Sequence, residues 1–185
     1  SYVENMRSIL PDIHIVVDID EGYGDDKIAR TVTSRLENVG ASAIVLEDQR
    51  RPKKCGHLPG KEIISRDEHI KRLTSVLNVR KDLYVIARTD AEDIQEGISR
   101  VQDYALAGAD AVMVEGLDSK EKIKLVRESI PSDVSMGVNL IFGGKMGPIS
   151  LDELSSLGVN LVIYSTPCLF AAHGAVDNAI RELKE

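Results

Sequence analysis

Three times in this chain a helical stretch ends on a glycine and passes straight into a short apolar run. Val39-Gly40-Ala41 leads into 43–46, Ala107-Gly108-Ala109 into 111–114, and Leu157-Gly158-Val159 into 161–164. A glycine just past a helix supplies the left-handed turn that reverses the chain, and a strand reached through a helix pairs in parallel with its predecessor. The repeating unit therefore reads as βα. Apolar runs at 14–17, 83–87 and 134–138 bring the candidate strands to six. Between them, Ile28, Val32, Leu36 and Val39 share a helical face, as do Ile70, Leu73 and Leu77, and Ile94, Ile98 and Val101. Capping-box spacing marks helix starts at Ser65/Glu68, Asp118/Glu121 and Ser150/Glu153, and residues 2–10 form one more helical stretch.

Strands that are apolar throughout are buried on both faces, which leaves a closed (β/α)₈ barrel or an open doubly wound sheet. Asp18 and Asp20, Glu47 and Asp48, Arg88 and Asp90, Glu115, and Asn139 each sit at the C-terminal end of a strand. A barrel gathers such ends at one mouth, whereas an open sheet spreads them along an edge. We therefore expect an α/β barrel, with residues 1–185 as one partial barrel domain.

A net charge of -7 without a Lys/Arg tract argues against nucleic acid as a partner. Arg50, Arg51, Lys53 and Lys54 form one local basic knot, which suggests a small anion. No apolar run reaches the ~18 residues of a membrane span, and the N-terminus lacks the order of a signal peptide, so a cytoplasmic protein is expected. Cys55 and Cys168 form neither a disulfide framework nor a Cys-x-x-Cys pair. Cys168, Tyr104 and Met113 read as core residues, and His14, His69 and His173 as packing or surface residues.

Asp18-Ile19-Asp20 ends a strand, and strand alternation would place both aspartates on one face with Glu47 beside them. Three carboxylates without Cys/His spacing describe an oxygen-rich site for Mg²⁺ or Mn²⁺ rather than zinc. The same residues also suit a solvated strand end or a helix cap. Residues 50–60 hold too many Gly and Pro for a helix. A thiol at Cys55 among Lys53, Lys54 and His57 has an electropositive setting that lowers its pKa, and the glycines allow the loop to close over a site. A basic surface loop with an incidental cysteine is the other reading.

Glu47-Asp48-Gln49 followed by Lys53-Lys54-Cys55-Gly56-His57 resembles the Glu-Asp-Gln and Lys-(Lys/Arg)-Cys-Gly-His signature of the isocitrate and 2-methylisocitrate lyases. Asp18-Ile19-Asp20-Glu21-Gly22-Tyr23-Gly24 is similar to their Asp-x-Asp-x-Gly-(Phe/Tyr)-Gly, and Ala87-Arg88-Thr89-Asp90-Ala91 to their Ala-Arg-Thr-Asp-Ala. Glu115 and Asn139 fall at their next two strand ends. With five motifs in register, the chain resembles the isocitrate lyase/phosphoenolpyruvate mutase superfamily. Within it, the chain is similar to the 2-methylisocitrate lyase-like and carboxyphosphonoenolpyruvate phosphonomutase-like proteins.

The resemblance implies a phosphoenolpyruvate/pyruvate-type barrel in which Asp18, Asp20 and Glu47 hold Mg²⁺ (or Mn²⁺), directly or through water. It implies a lyase that cleaves a 2-hydroxy di- or tricarboxylate to a 2-oxo acid, with Cys55 protonating the carbanion. Lys53 and His57 would tune the thiol, Arg88 would stabilise charge, and Cys55, Gly56, Arg88, Glu115 and Asn139 would face the carboxylate substrate. A homotetramer or homodimer is implied as well. Two departures leave the substrate open. Ile141 and Phe142 remove polar groups from the loop after Asn139, and Phe170 falls where a 2-methylisocitrate lyase has an Arg. The alternatives are a carboxyphosphonoenolpyruvate mutase-like or oxaloacetate-decarboxylating enzyme, or a non-catalytic barrel that serves as a binding subunit. The family's Asp-x-Asp strand is its third, so the first two βα units are expected to be absent from these residues.

Overall fold

A computed structural model describes residues 1–141 and 143–184. Helix α1 (Tyr2–Ile9) precedes β1 (Val16–Asp18) and α2 (Asp26–Asn38), followed by β2 (Ala43–Glu47) and α3 (Arg66–Val79). Next come β3 (Tyr84–Thr89) and α4 (Ile94–Leu106), then β4 (Ala111–Val114) and α5 (Lys120–Ser129). The last units are β5 (Ser135–Leu140) with α6 (Leu151–Ser156), and β6 (Leu161–Tyr164) with α7 (Pro167–Glu182). Every pairing between these six strands is parallel, and the strands lie side by side in chain order. A doubly wound sheet reverses its order at a switch point, and this sheet does not. It has the order of six consecutive βα units of a barrel, left open between β1 and β6.

The glycine turns build this order. Gly40, Gly108 and Gly158 adopt φ of 93°, 101° and 79°. In each turn the next N–H reaches five residues back, from Ala41 to Leu36, Ala109 to Tyr104 and Val159 to Leu154, closing the helix and releasing the chain into a strand. Ser65 and Ser150 cap their helices as expected. The α5 cap is Ser119 rather than Asp118, whose carboxylate pairs instead with Lys122.

Strands β2, β3 and β5 extend one or two residues past their apolar runs, so Glu47, Arg88, Thr89 and Asn139 lie within the ladder. Glu47 is paired in register with Arg88. Alternation then sorts the side chains between the two faces. Ile44, Leu46, Val85, Ala87, Val112 and Met136 pack under the helices. Val45, Ile86, Ala111 and Met113 form a layer on the other face against Leu161 and Ile163. Two residues beyond that layer, the same face carries Glu47, Arg88 and Glu115. The cavity of about 900 Å³ lies at the opposite, N-terminal end of the strands, lined by Val16, Ala43, Tyr84 and Leu161 among others, away from this chemistry.

Tyr104 and Met113 are core residues as expected, whereas Ile28 is exposed. Cys168 is exposed too, because α7 buries none of its side chains among the described residues. His69 is buried against the Tyr104 ring at 4.5 Å, and neither ring nitrogen has a hydrogen-bond partner among the described residues. Burial, followed by the charges of Arg100 and Arg72, pushes its pKa down from 6.5 to about 3. The unfolded chain therefore takes up a proton here that the folded chain refuses. Stability from this residue is complete above pH 6.5 and is lost as pH falls towards 3. At ~1.4 kcal/mol per pH unit the loss is on the order of 5 kcal/mol at most. His69→Leu is expected to be near neutral at pH 7.5, since it removes two unsatisfied polar atoms, and to flatten the acid limb of a urea-denaturation series. An unchanged acid limb would refute this assignment.

Candidate active site

Asp18 ends β1, and Asp20 follows in a left-handed turn (φ 48°), its N–H bonded to Asp18 Oδ1 at 2.8 Å. The two aspartates therefore converge through a turn rather than through strand alternation. Aspartate accepts this conformation more readily than most residues because its short side chain bonds locally. With Glu47 they form a cluster whose ligand oxygens all lie within 4.8 Å of one another. Lys53 Nζ reaches all three carboxylates: 2.8 Å from Asp20 Oδ1, 3.0 Å from Glu47 Oε2 and 3.6 Å from Asp18 Oδ2. Burial works against that ammonium, but the bond to Asp20 and the charges of Glu47 and Asp18 prevail and raise its pKa.

Glu47 is fully buried, and its Oε1 has no hydrogen-bond partner among the described residues. Burial raises its pKa to about 7, against the opposing pull of Arg88 and Lys53. A buried carboxylate oxygen left unpaired is costly, so this one is suited to a further cation. The donors are all oxygens, which fits a hard divalent ion and not zinc.

Arg88 joins this cluster to the rest of the site. Its guanidinium makes a two-pronged pair with Asp90 (Nε–Oδ2 3.0 Å, Nη2–Oδ1 3.0 Å) and lies 3.5 Å from Glu47 Oε2 and 3.6 Å from Glu115 Oε2. Burial opposes its charge, yet Asp90 and Glu115 hold its pKa above the usual value. Glu115 Oε1 accepts from Asn139 Nδ2 at 2.9 Å, and Asn139 Oδ1 accepts from Ser165 Oγ at 2.6 Å.

The loop of residues 50–60 covers this floor. His57 Nε2 lies 3.3 Å from Glu115 Oε1, and its Nδ1 accepts from the Lys145 N–H at 3.4 Å. Burial lowers the His57 pKa, with Glu115 opposing and Lys145, Lys61 and Arg88 adding to the depression. Nε2 itself makes no hydrogen bond among the described residues, so it meets Glu115 by proximity alone. Gly56 passes so close to Glu115 that an added Cβ would stand 2.3 Å from its Cγ. No other residue fits there without moving Glu115.

The structure thus brings Asp18, Asp20, Glu47, Lys53, Gly56, His57, Arg88, Glu115 and Asn139 together at one end of the sheet. Cys55 stands apart with an exposed side chain, and the cations beside it in sequence are turned to other acceptors, Lys53 to the carboxylates and Lys54 to the Gly60 carbonyl. The basic knot likewise meets this chain's own acids, because Arg51 pairs with Asp20 at 2.7 Å and Glu21 at 2.8 Å. Asp48 does not belong to the mouth at all. It faces the helices, bonded to Thr89, Arg100, Tyr104 and the Asp90 N–H. Lys61, whose ammonium lies 2.6 Å from the Gly56 carbonyl, was not foreseen, since its role depends on a loop path that no local pattern announces. Phe142 lies outside the described residues, and Phe170 sits on α7, partly exposed.

The phosphoenolpyruvate phosphomutase family model matches residues 1–184. A probable 2-methylisocitrate lyase of Corynebacterium glutamicum is 37% identical over 179 residues, 94% of this chain and 58% of that protein. The 2,3-dimethylmalate lyase of Eubacterium barkeri is 33% identical over 92% of this chain and 61% of its own length. Among solved structures, oxaloacetate acetylhydrolase bound to 3,3-difluorooxalacetate superposes with a TM-score of 0.92 at 27% identity, covering 99% of this chain and 64% of that one. The chain thus spans about three fifths of the length of these relatives. Its motifs, the unbroken strand order and the family match agree: the chain belongs to the phosphoenolpyruvate phosphomutase family, within the isocitrate lyase/phosphoenolpyruvate mutase superfamily.

Proposed function

We propose that the protein is a Mg²⁺-dependent carbon–carbon lyase. Its substrate is a small 2-hydroxy di- or tricarboxylate, a 2-methylisocitrate-like acid or a substituted malate, which it cleaves to a 2-oxo acid such as pyruvate and a carboxylate. The observation that carries this reading is one loop anchored at both sides of the site, Lys53 on the acid cluster and His57 on Glu115, with Cys55 between them.

Asp18, Asp20 and Glu47 are the residues that would hold the divalent ion, drawing on the oxygens that Lys53 now contacts. Such an ion would supply Lewis-acid stabilisation of negative charge on the substrate's oxygens. Arg88, fixed by Asp90, supplies a permanent positive charge where the departing carboxylate gains electron density. Cleavage starts when the 2-hydroxyl gives its proton to a general base. The O–H electron pair becomes part of the new C=O bond, and the C–C pair passes to the carbon bearing the departing carboxylate. Cys55 donates its S–H proton to that carbon, and the thiolate regains a proton from water. Glu115 and Asn139 orient the substrate-facing side of the loop through His57 and Gly56.

The likeness to oxaloacetate acetylhydrolase favours a second reading, an enzyme acting on a 2-oxo acid such as oxaloacetate as a decarboxylase, or a mutase-like relative. A coupled assay for pyruvate release across a panel of 2-hydroxy acids, with oxaloacetate as comparison, separates the two. Chelation is expected to abolish turnover in either case, and Glu47→Gln to weaken Mn²⁺ binding measured by calorimetry at least about tenfold. Full turnover after exhaustive chelation would overturn the metal assignment. No helix among the described residues is long and apolar enough to cross a membrane. A cytoplasmic homodimer or homotetramer belongs to the same proposal, with light scattering as its check.

A further inference from the structure

Lys61 is a charged residue of this site that the chemistry above leaves without a task. Its side chain is 1% exposed, its Nζ lies 2.6 Å from the Gly56 carbonyl and 3.5 Å from Asp90 Oδ1. Lysine is seldom buried to this degree without a specific partner, because its ammonium gives up strong hydration. A loop that only needed to be soluble would leave it outside. Here it folds back on its own loop and closes a lasso from residue 61 to residue 56. The base of that lasso is held separately, as Glu92 Oε1 accepts from the N–H groups of Gly60 at 2.8 Å and Lys61 at 3.3 Å.

The two acceptors give the contact its meaning. One is the carbonyl directly following Cys55, and the other is the carboxylate whose oxygens hold Arg88. Lys53 and His57 fix the ends of the Cys55 segment, while Lys61 ties its middle to the Arg88 floor. We propose that Lys61 is a positioning residue that sets the Cys55 thiol relative to Arg88 by holding the Gly56 carbonyl against the Arg88–Asp90 pair. The inference rests on the lyase reading only in assigning Cys55 the proton transfer; the anchoring of the loop is independent of it.

The test uses the intact protein with Lys61→Met, which keeps the stem and removes the ammonium, and with Lys61→Arg. Three quantities are measured: the rate at which iodoacetamide alkylates Cys55, followed by peptide mass so that Cys168 serves as internal control; kcat; and oxalate affinity by calorimetry. In Lys61→Met, Cys55 alkylation should change at least about fivefold while Cys168 does not, and kcat should fall on the order of 10²-fold, the typical cost of misplacing a reacting group by about 1 Å. Oxalate affinity should stay within about threefold, because the thiol is not a binding group. Lys61→Arg keeps a cation against Asp90 and a donor near Gly56, and should recover at least about a tenth of kcat. If Lys61→Met does not fold, Lys61→Arg carries the test. A folded variant with wild-type kcat and an unchanged Cys55 alkylation rate in Lys61→Met, or no recovery in Lys61→Arg, overturns the proposal. If Cys55→Ser is fully active while Lys61→Met still alters Cys55 alkylation, the lyase reading fails and the anchoring stands.

Discussion

Asp48→Ala is expected to cost about 3–5 kcal/mol of folding stability, the range found when one partner of a buried ion pair is removed. Asp48 Oδ2 alone accepts from Thr89 Oγ1 at 2.7 Å, Tyr104 OH at 2.7 Å and Arg100 Nη1 at 3.0 Å, and Oδ1 accepts from the Asp90 N–H at 2.8 Å. Alanine would leave the Arg100 guanidinium buried with Glu96 as its one remaining carboxylate partner among the described residues. The hydroxyls of Thr89 and Tyr104 can rotate to other acceptors, whereas the guanidinium has nothing but donors to offer. Asp48→Asn should therefore recover only part of the loss. Against a typical total of ~5–15 kcal/mol, such a change is large enough to read directly as a shift in urea midpoint. A loss below about 1 kcal/mol in Asp48→Ala would show that the cluster is not the clamp described here.

The effect should reach the acid cluster. Asp48 and Glu47 are consecutive, so holding one on the helix side holds the other on the site side. The clamp joins β2 to β3 and α4, and the Asp90 N–H that it binds belongs to the residue whose carboxylate locks Arg88. Mn²⁺ binding by Asp48→Ala at a temperature where it remains folded should thus be weaker than in the wild type.

This pair of residues also shows what a sequence can and cannot announce. The identity of the strand ends was legible because burial on both faces demands unbroken apolar runs, and the βα order because Gly40, Gly108 and Gly158 mark each reversal. The sequence alone puts Asp48 at the mouth with Glu47, since adjacency says nothing about face until the strand's register is fixed. Strand alternation predicts Asp20 beside Asp18, whereas a positive φ brings the two together in place of the alternation that a longer strand would impose. Cys168 looked like a core thiol because an apolar helix normally has something to pack against, and α7 buries no described side chain. Lys61 was invisible for a different reason. A buried lysine is recognised by the two acceptors that meet it, and these come from a loop carbonyl and a strand-end carboxylate 29 residues further on.

Cys55→Ser is expected to lower kcat by about 10²–10⁴-fold, the usual contribution of a positioned proton donor, while oxalate and Mn²⁺ bind nearly as in the wild type. A thiol is acidic enough (pKa ~8.5) to surrender its proton to a carbanion and recover it from water within a turnover. A serine hydroxyl is far less acidic, and its alkoxide is a poor product of that step. The substitution is also structurally mild. The Cys55 side chain is exposed, and the loop is held instead by Lys53 on the acid cluster, His57 on Glu115 and Lys61 on the Gly56 carbonyl. Equal loss in kcat and kcat/KM is the pattern expected when an interaction made only in the transition state disappears. A rise in KM at constant kcat would instead make Cys55 a binding residue. Turnover within a few-fold of wild type would remove the thiol from the proton path and favour the 2-oxo acid decarboxylase or mutase-like reading, in which the acid cluster and Arg88 do their work without a thiol proton.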